Sequence, residues 1–417
     1  MKKLAVLLIF LLLLPCTVPA QSSVVPEPSY IIMDRHTGEV LLSSGMNRRI
    51  FPASTTKILT ALVALENARP TASFTASRKA VSAYEWGAVL LPIKEGEEML
   101  LYDLLNALML RSANDAANVI AEGVGGSVEH FLDMMNERAV SLGALDSSFS
   151  NTNGLHSEAL YTTVNDLALI TRAALNNNIF RTIVSQSEYN LSPTNMREEY
   201  IKVVNSNPIL GINPGYDFIV LGVKTGYTSK ANHVLVSHAE DNNGREVICV
   251  VASVRTREEI ASMSLNLISR AFREFGFHSV AKPGDVVSET VVEGTSIPLA
   301  VSKSISHLLP NDVTRWVFNK EIVLYEPLAT DIERGDILGE ITYLYRDREI
   351  GSSYLVATVD YTPETGDGIP GGDIPGEKAG MEVSIYFIIF SLGAIMVLYI
   401  ALELGRIERK MQEDRTI

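Results

Sequence analysis

The chain has 417 residues, 20% of them charged, and a formal net charge of -14 at pH 7. That length exceeds one typical domain and suggests two or three with a sizeable core. The acidic balance argues against nucleic acid as a partner. With only Cys16 and Cys249 in the chain, a disulfide framework is excluded if the first leaves with an export signal.

Residues 1–20 read as that signal. Lys2 and Lys3 form the charged start, Leu4 to Leu14 an apolar run too short for a membrane span, and Val18-Pro19-Ala20 a small-residue cleavage site before Gln21. From Ser29, "SYIIMDRHTGEVLLSSG" predicts two short strands around a Thr37-Gly38 turn. Helical periodicity follows over 55–67, 100–110, 113–122, 128–142 and 164–175. Strands return at "FIVLGVKTGYT", "HVLVSHAE" and "REVICVVASV", the last two joined by Asn242-Asn243-Gly244, and a helix over 257–275 closes the region. Strands at both ends with helices between predict one mostly antiparallel sheet built from the two termini, with a helical lobe inserted. Cys249 falls inside an apolar strand and reads as a small buried residue rather than a reactive thiol.

Residues 29–276 are thus expected to form one domain. Residues 277–361, with alternation in "VVSETVVEG", "EIVLYEP" and "YLVATVDY", predict a small all-β domain. A Gly-, Pro- and acid-rich linker at 362–380 cannot pack a core. Residues 383–402, "VSIYFIIFSLGAIMVLYIAL", are uncharged; at about 1.5 Å per residue they match a bilayer core of about 30 Å. Arg406, Arg409 and Lys410 follow, so the tail at 403–417 is expected to be cytoplasmic and everything between the two apolar segments external.

The stretch "FPASTTKILTALVALE" poses a chemical question. Ser-x-x-Lys alone is weak, arising by chance about once or twice in a chain of this length, and Ser54 could be a mere helix cap with Lys57 facing solvent. Residues three apart on a helix share a face, however, so Lys57 can lie against the Ser54 hydroxyl. Ile58, Ala61, Leu62 and Leu65 leave that helix no polar face, and a lysine on a buried helix needs a reason. A chemical reason exists. Burial and a second cation lower an amine's pKa until it can take the serine's proton, while the helix N-terminus favours an oxyanion beside Ser54.

Two further motifs stand in order behind it: Ser112-Ala113-Asn114 in "LMLRSANDAANVIAE" at a break between helices, and Lys224-Thr225-Gly226 in "VLGVKTGYTSK" on a predicted strand. Ser264-Leu265-Asn266 also fits Ser-x-Asn but falls inside a later helix and reads as a decoy. The ordered set resembles the three signature motifs of the penicillin-recognising serine enzymes. With "NTNGLH" and "VKTGYTSKA" added, the chain resembles the serine-type low-molecular-weight D-alanyl-D-alanine carboxypeptidases, peptidase family S11, over about 29–361.

That resemblance implies a mixed α/β (α+β) fold of the β-lactamase/DD-peptidase kind, a second β-rich domain and a membrane attachment. It implies Ser54 as the acylated nucleophile, Lys57 as its general base and Ser112 as a proton relay to the leaving amine. Asn114 would hold the substrate's peptide group, and Lys224 and Thr225 its terminal carboxylate, with Gly226 completing the motif. The backbone N–H groups of Ser54 and Tyr227 would form the oxyanion hole. Either Arg255 or Arg257 could add a grip on the carboxylate. The implied substrate is a peptidoglycan stem peptide ending in D-alanyl-D-alanine, with β-lactams as covalent inhibitors; no cofactor or metal is implied. The uncharged run at 383–402 departs from the amphipathic attachment common among relatives and favours a true span.

Rival readings are weaker. A class A β-lactamase needs a water-activating glutamate, and Glu158 in "NTNGLHSEALYTTVND" lacks that context. A zinc carboxypeptidase needs a ligand cluster, and the seven histidines show no His-x-x-x-His spacing. Intact Ser54, Lys57 and Lys224 argue against an idle wall-binding scaffold, while an endopeptidase or transpeptidase on the same fold differs in loop shapes that sequence does not display.

Overall fold

The computed structural model describes residues 27–82, 88–326 and 331–363. The expected signal, the greater part of the linker, the apolar segment at 383–402 and the tail lie outside them. Among the described residues no helix is long and apolar enough to cross a membrane.

The chain opens with strands β1 (Ser29–Asp34) and β2 (Val40–Ser44). Helix α1 (Lys57–Asn67) follows a single 3-10 turn, Ala53–Thr56, and every residue from Lys57 to Ala64 is buried. A helix apolar on all sides belongs at the centre of a fold rather than on its surface. Around it pack α2 (Asn114–Gly125), α3 (Val128–Ser141) and α4 (Val164–Ala174). The ends of α3 and α4 are set locally: Ser127 and Thr163 accept from the backbone N–H groups three residues on, as good N-caps do.

The chain then returns to the sheet through β3 (Gly211–Ile212), β4 (Phe218–Thr228), β5 (Asn232–Asp241) and β6 (Glu246–Val254), and α5 (Arg257–Glu274) follows, capped by Thr256. The strand order is β2-β1-β6-β5-β4-β3, and the β1–β6 pairing, Ile31 with Val250 and Ile32 with Cys249, joins the two ends of this region. Helices cover both faces. One face, with Ile31, Val223, Val236 and Val250, packs on the lobe containing Ile58, Leu59 and Leu62. The other, with Ile32, Leu235, Cys249 and Val251, packs on Ile260, Leu267 and Ile268 of α5. Double coverage explains why "EVICVVASV" reads as an unbroken apolar run although its sheet is antiparallel, where one wet face and alternation are more usual.

Beyond α5 the described residues form strands and one 3-10 turn, Val313–Arg315: β7 (Phe275–Ala281), β8 (Val286–Val292), β9 (Thr295–Val301), β10 (Ile305–Pro310), β11 (Phe318–Leu324), β12 (Ile337–Tyr345) and β13 (Arg348–Ala357). A two-stranded β7–β10 ribbon and a five-stranded sheet, β8-β9-β13-β12-β11, enclose a separate apolar cluster around Ile297, Leu299, Ile341 and Leu355.

Candidate active site

Ser54 lies in the 3-10 turn that feeds α1, not within the α-helix itself. Ala53 before it has φ of 49°, the left-handed region that costs a non-glycine residue roughly 1–2 kcal/mol. The surroundings hold it there. Thr55 and Thr56 donate their hydroxyls to the carbonyls of Pro52 and Ala53, at 2.7 and 2.9 Å. Two glycines let neighbouring backbone press on the turn: a β-carbon on Gly154 would stand 1.9 Å from the Ala53 carbonyl oxygen, and one on Gly226 3.1 Å from the Ser54 nitrogen. Gly154 also has φ of +87°, so side-chain size and backbone conformation both require glycine there.

Lys57 starts α1 and is fully buried. Its amine lies 3.1 Å from Ser54 Oγ and donates to Asn114 Oδ1 at 2.7 Å and to the Asn153 carbonyl. Asn114 is delivered by a break in the helical lobe. A π-type turn, Ala107–Arg111, ends at Ser112 in the left-handed conformation (φ 69°), and α2 begins two residues later. The neighbouring Asp115 is buried and accepts from the N–H groups of Leu91 and Ile93 at 2.9 and 3.1 Å, while the Asn114 N–H reaches the Val89 carbonyl at 2.9 Å. These bonds tie 89–93 to the start of α2, and Val89, with Arg111 and Ser112, forms one wall of the site.

Strand β4 forms the opposite wall, with Lys224 opposite Val236, Thr225 opposite Leu235 and Gly226 opposite Val234 of β5. The Lys224 amine is buried and has no hydrogen-bond partner. Between the walls is a cavity of about 360 Å³ lined by Ser54, Ser112, Thr225, Gly226 and Tyr227. Thus Ser54, Lys57, Ser112, Asn114, Lys224, Thr225, Gly226 and Tyr227 all converge on one place, five in the lining and the two lysines and Asn114 beneath or beside it.

Sequence reading did not single out Val89, Arg111, Ser206 and His233, which also line the cavity. Val89, Ser206 and His233 carry no motif, and the chain's path brings them in; Arg111 stands directly before Ser112 in the quoted "LMLRSANDAANVIAE". Asn153 and Asp115 lay inside quoted motifs, "NTNGLH" and "SANDAAN", without a reason being attached to either. Arg257 lines the cavity and donates to the Ser206 carbonyl at 2.9 Å, whereas Arg255 lines a different groove beside Glu258 and Glu259. No carboxylate is among the residues lining the cavity. Glu158 instead faces solvent, 3.3 Å from His156.

Burial pushes the Lys57 amine well below its ordinary value, the nearby Lys224 charge pushes it further, and the Asp115 carboxylate opposes both. Burial alone brings Lys224 down to about 7. Cys249 is buried away from the cavity, and burial raises its thiol to about 12.

The family model for D-alanyl-D-alanine carboxypeptidases (Peptidase S11) matches residues 17–256. The D-alanyl-D-alanine carboxypeptidase DacF of Bacillus subtilis is 30% identical over 344 residues, covering 81% of this chain and 86% of that protein. DacC of Escherichia coli is 26% identical over 364 residues, covering 83% and 88%. Among solved structures, DacD from Francisella tularensis superimposes with a TM-score of 0.61 at 22% identity, covering 82% of this chain and 97% of that one. The Streptomyces K15 DD-transpeptidase superimposes with a TM-score of 0.54 at 28% identity, covering 58% and 96%.

Proposed function

The chain belongs to the D-alanyl-D-alanine carboxypeptidase family, and from that premise we propose how its residues carry out the serine carboxypeptidase reaction. One observation carries the assignment: the surroundings of the Lys57 amine. A neutral amine has two N–H bonds and one lone pair. Asn114 Oδ1 and the Asn153 carbonyl oxygen can only accept, so they take both N–H bonds. The remaining neighbour is the Ser54 hydroxyl, which can donate, and the lone pair is left facing it. Burial and the Lys224 charge favour the neutral form that this requires.

Ser54 Oγ attacks the carbonyl of the penultimate D-alanine and its proton passes to Lys57. The oxyanion is met by the N–H groups of Ser54 and Tyr227, a reading supported by the close packing of Gly226 on the Ser54 nitrogen. As the tetrahedral intermediate collapses, the amide C–N bond breaks and the departing amine takes a proton through Ser112. Water then hydrolyses the ester, releasing the trimmed peptide. Asn114 holds the peptide group. Lys224, Thr225 and Arg257 hold the terminal carboxylate, for which the unpartnered Lys224 amine is a waiting counter-charge.

The substrate is the peptidoglycan stem peptide ending in D-alanyl-D-alanine, and β-lactams, which mimic that dipeptide, acylate Ser54. Residues 29–276 form the catalytic domain and 277–361 the β-rich domain. An export signal at 1–20 and an anchor at 383–402, joined by the linker at 362–380 and followed by the tail at 403–417, would hold the catalytic domain on the wall side of the cell membrane.

The test is release of D-alanine from a defined pentapeptide, with mass spectrometry to establish that water took the acyl group, beside labelling by a fluorescent penicillin. Native protein should do both and Ser54→Ala neither. An unlabelled native protein, or a Ser54→Ala variant that still releases D-alanine, would sink the assignment.

A further inference from the structure

Ser206 has no motif around it, yet it joins three walls of the cavity. Its N–H donates to the carbonyl of Leu110, two residues before Ser112, at 3.2 Å. Its carbonyl accepts from Arg257 Nη2 at 2.9 Å. Its hydroxyl lies 2.7 Å from Thr225 Oγ1. It therefore touches the segment leading to Ser112, the first residue of α5, and β4.

The hydroxyl contact has a direction imposed by chemistry. A carboxylate only accepts hydrogen bonds, so a Thr225 hydroxyl that binds one must donate its single proton to it. Its remaining capacity is as an acceptor, and the Ser206 O–H is placed to fill that role. The result is a relay of donors, Ser206 to Thr225 to carboxylate, in which each bond polarises the next. The Ser206 carbonyl meanwhile occupies one Arg257 nitrogen and fixes the plane of the guanidinium, leaving its other N–H groups for the same anion.

We propose that Ser206 is a positioning residue for the terminal carboxylate, acting through the Thr225 hydroxyl and the Arg257 guanidinium rather than on the scissile bond. The inference rests on the carboxypeptidase reading above, because it presumes that a carboxylate enters this end of the cavity. It also sets where the effect falls. Once the acyl-enzyme forms, the carboxylate has left with D-alanine, so Ser206 matters for acylation and not for deacylation.

The experiment compares native protein, Ser206→Ala and Ser206→Thr on a pentapeptide ending in free D-alanine and on the same peptide ending in D-alaninamide. It measures kcat/KM for each and the hydrolysis rate of the preformed acyl-enzyme. One lost hydrogen bond predicts a kcat/KM about three- to tenfold lower for Ser206→Ala on the carboxylate substrate. The expected result also has the amide substrate and acyl-enzyme hydrolysis unchanged, activity restored by Ser206→Thr, and no added loss when Ser206→Ala is combined with Thr225→Ala. Equal losses on both substrates, slowed acyl-enzyme hydrolysis, or losses that multiply in the double variant would overturn it. A native protein that never acylates would overturn the carboxypeptidase reading instead.

Discussion

The two regions of this chain place polar groups in opposite ways. Between β1 and α5 the interior holds Lys57, Lys224, Asn114, Asp115 and Asn153, all buried, with one of the two lysines unpartnered. Beyond α5, the buried side chains with a polar group among the described residues are Thr290, Ser353, Tyr343 and Tyr345, none of them charged. The β-rich region is an ordinary apolar core, and its edge strand β11 is exposed along nearly its whole length. The contrast teaches where stability has been given up. Burying an amine without a counter-charge is unfavourable, and among the described residues the buried lysines are the two proposed as base and carboxylate grip.

Ser54→Ala should break the comparison most completely, lowering D-alanine release about 10⁴-fold or more while leaving the melting temperature near native. Lys57→Met should come next, with acylation by a β-lactam about 10³-fold slower but a higher melting temperature. The sign follows from linkage. With the folded amine held well below its ordinary value, the unfolded chain binds more protons, so native stability rises with pH up to the unfolded pKa. The advantage of Met is then largest at low pH and fades as pH approaches about 10.4; a melting temperature lowered at every pH would contradict the argument.

The pH profile sharpens the same point. On the proposed role of Lys224 as carboxylate grip, an amine at about 7 is uncharged above that pH, so kcat/KM for a carboxylate substrate should fall about tenfold per unit on the alkaline side. Lys224→Gln should abolish that limb. Because the Lys224 charge lowers Lys57, the same variant should also move the acid limb to higher pH; an unmoved acid limb would show that the two amines are not coupled. The smallest effect on turnover belongs to the β-rich region. Ile341→Ala, at a fully buried position, should cost about 2–5 kcal/mol of stability in that region by denaturant unfolding, with kcat per folded molecule unchanged.

How much of this could be read from residues alone differs from element to element. Strand β4 coincides with the quoted "FIVLGVKTGYT", and α4 and α5 fall within a residue of their periodic patterns, because caps and apolar spacing are local properties. The helix expected over 100–110 is instead an α-helix to Asn106 and then a π-type turn. Periodicity does not report a change of hydrogen-bond register, yet this one aims Ser112. The helical pattern over 55–67 places Ser54 just before the helix, with Lys57 on its first turn; instead Ser54 lies within a 3-10 turn, strained at Ala53, and the α-helix starts only at Lys57. Gly154, about 100 residues away, permits that geometry by close approach, and no local pattern encodes such a contact.

What the sequence by itself determined is the ordered motif set, the apolar runs that make strands and a central helix, and the separation of a helix-rich region from a β-rich one. These rest on periodicity and short-range spacing, which a chain carries before it folds. What only the tertiary structure decided is the burial of each amine, the presence of Arg257 rather than Arg255 at the cavity, and the place of Ser206 between three walls. Those depend on burial and on distances between residues far apart in the chain, where the electrostatic balance comes into being only when the pieces meet.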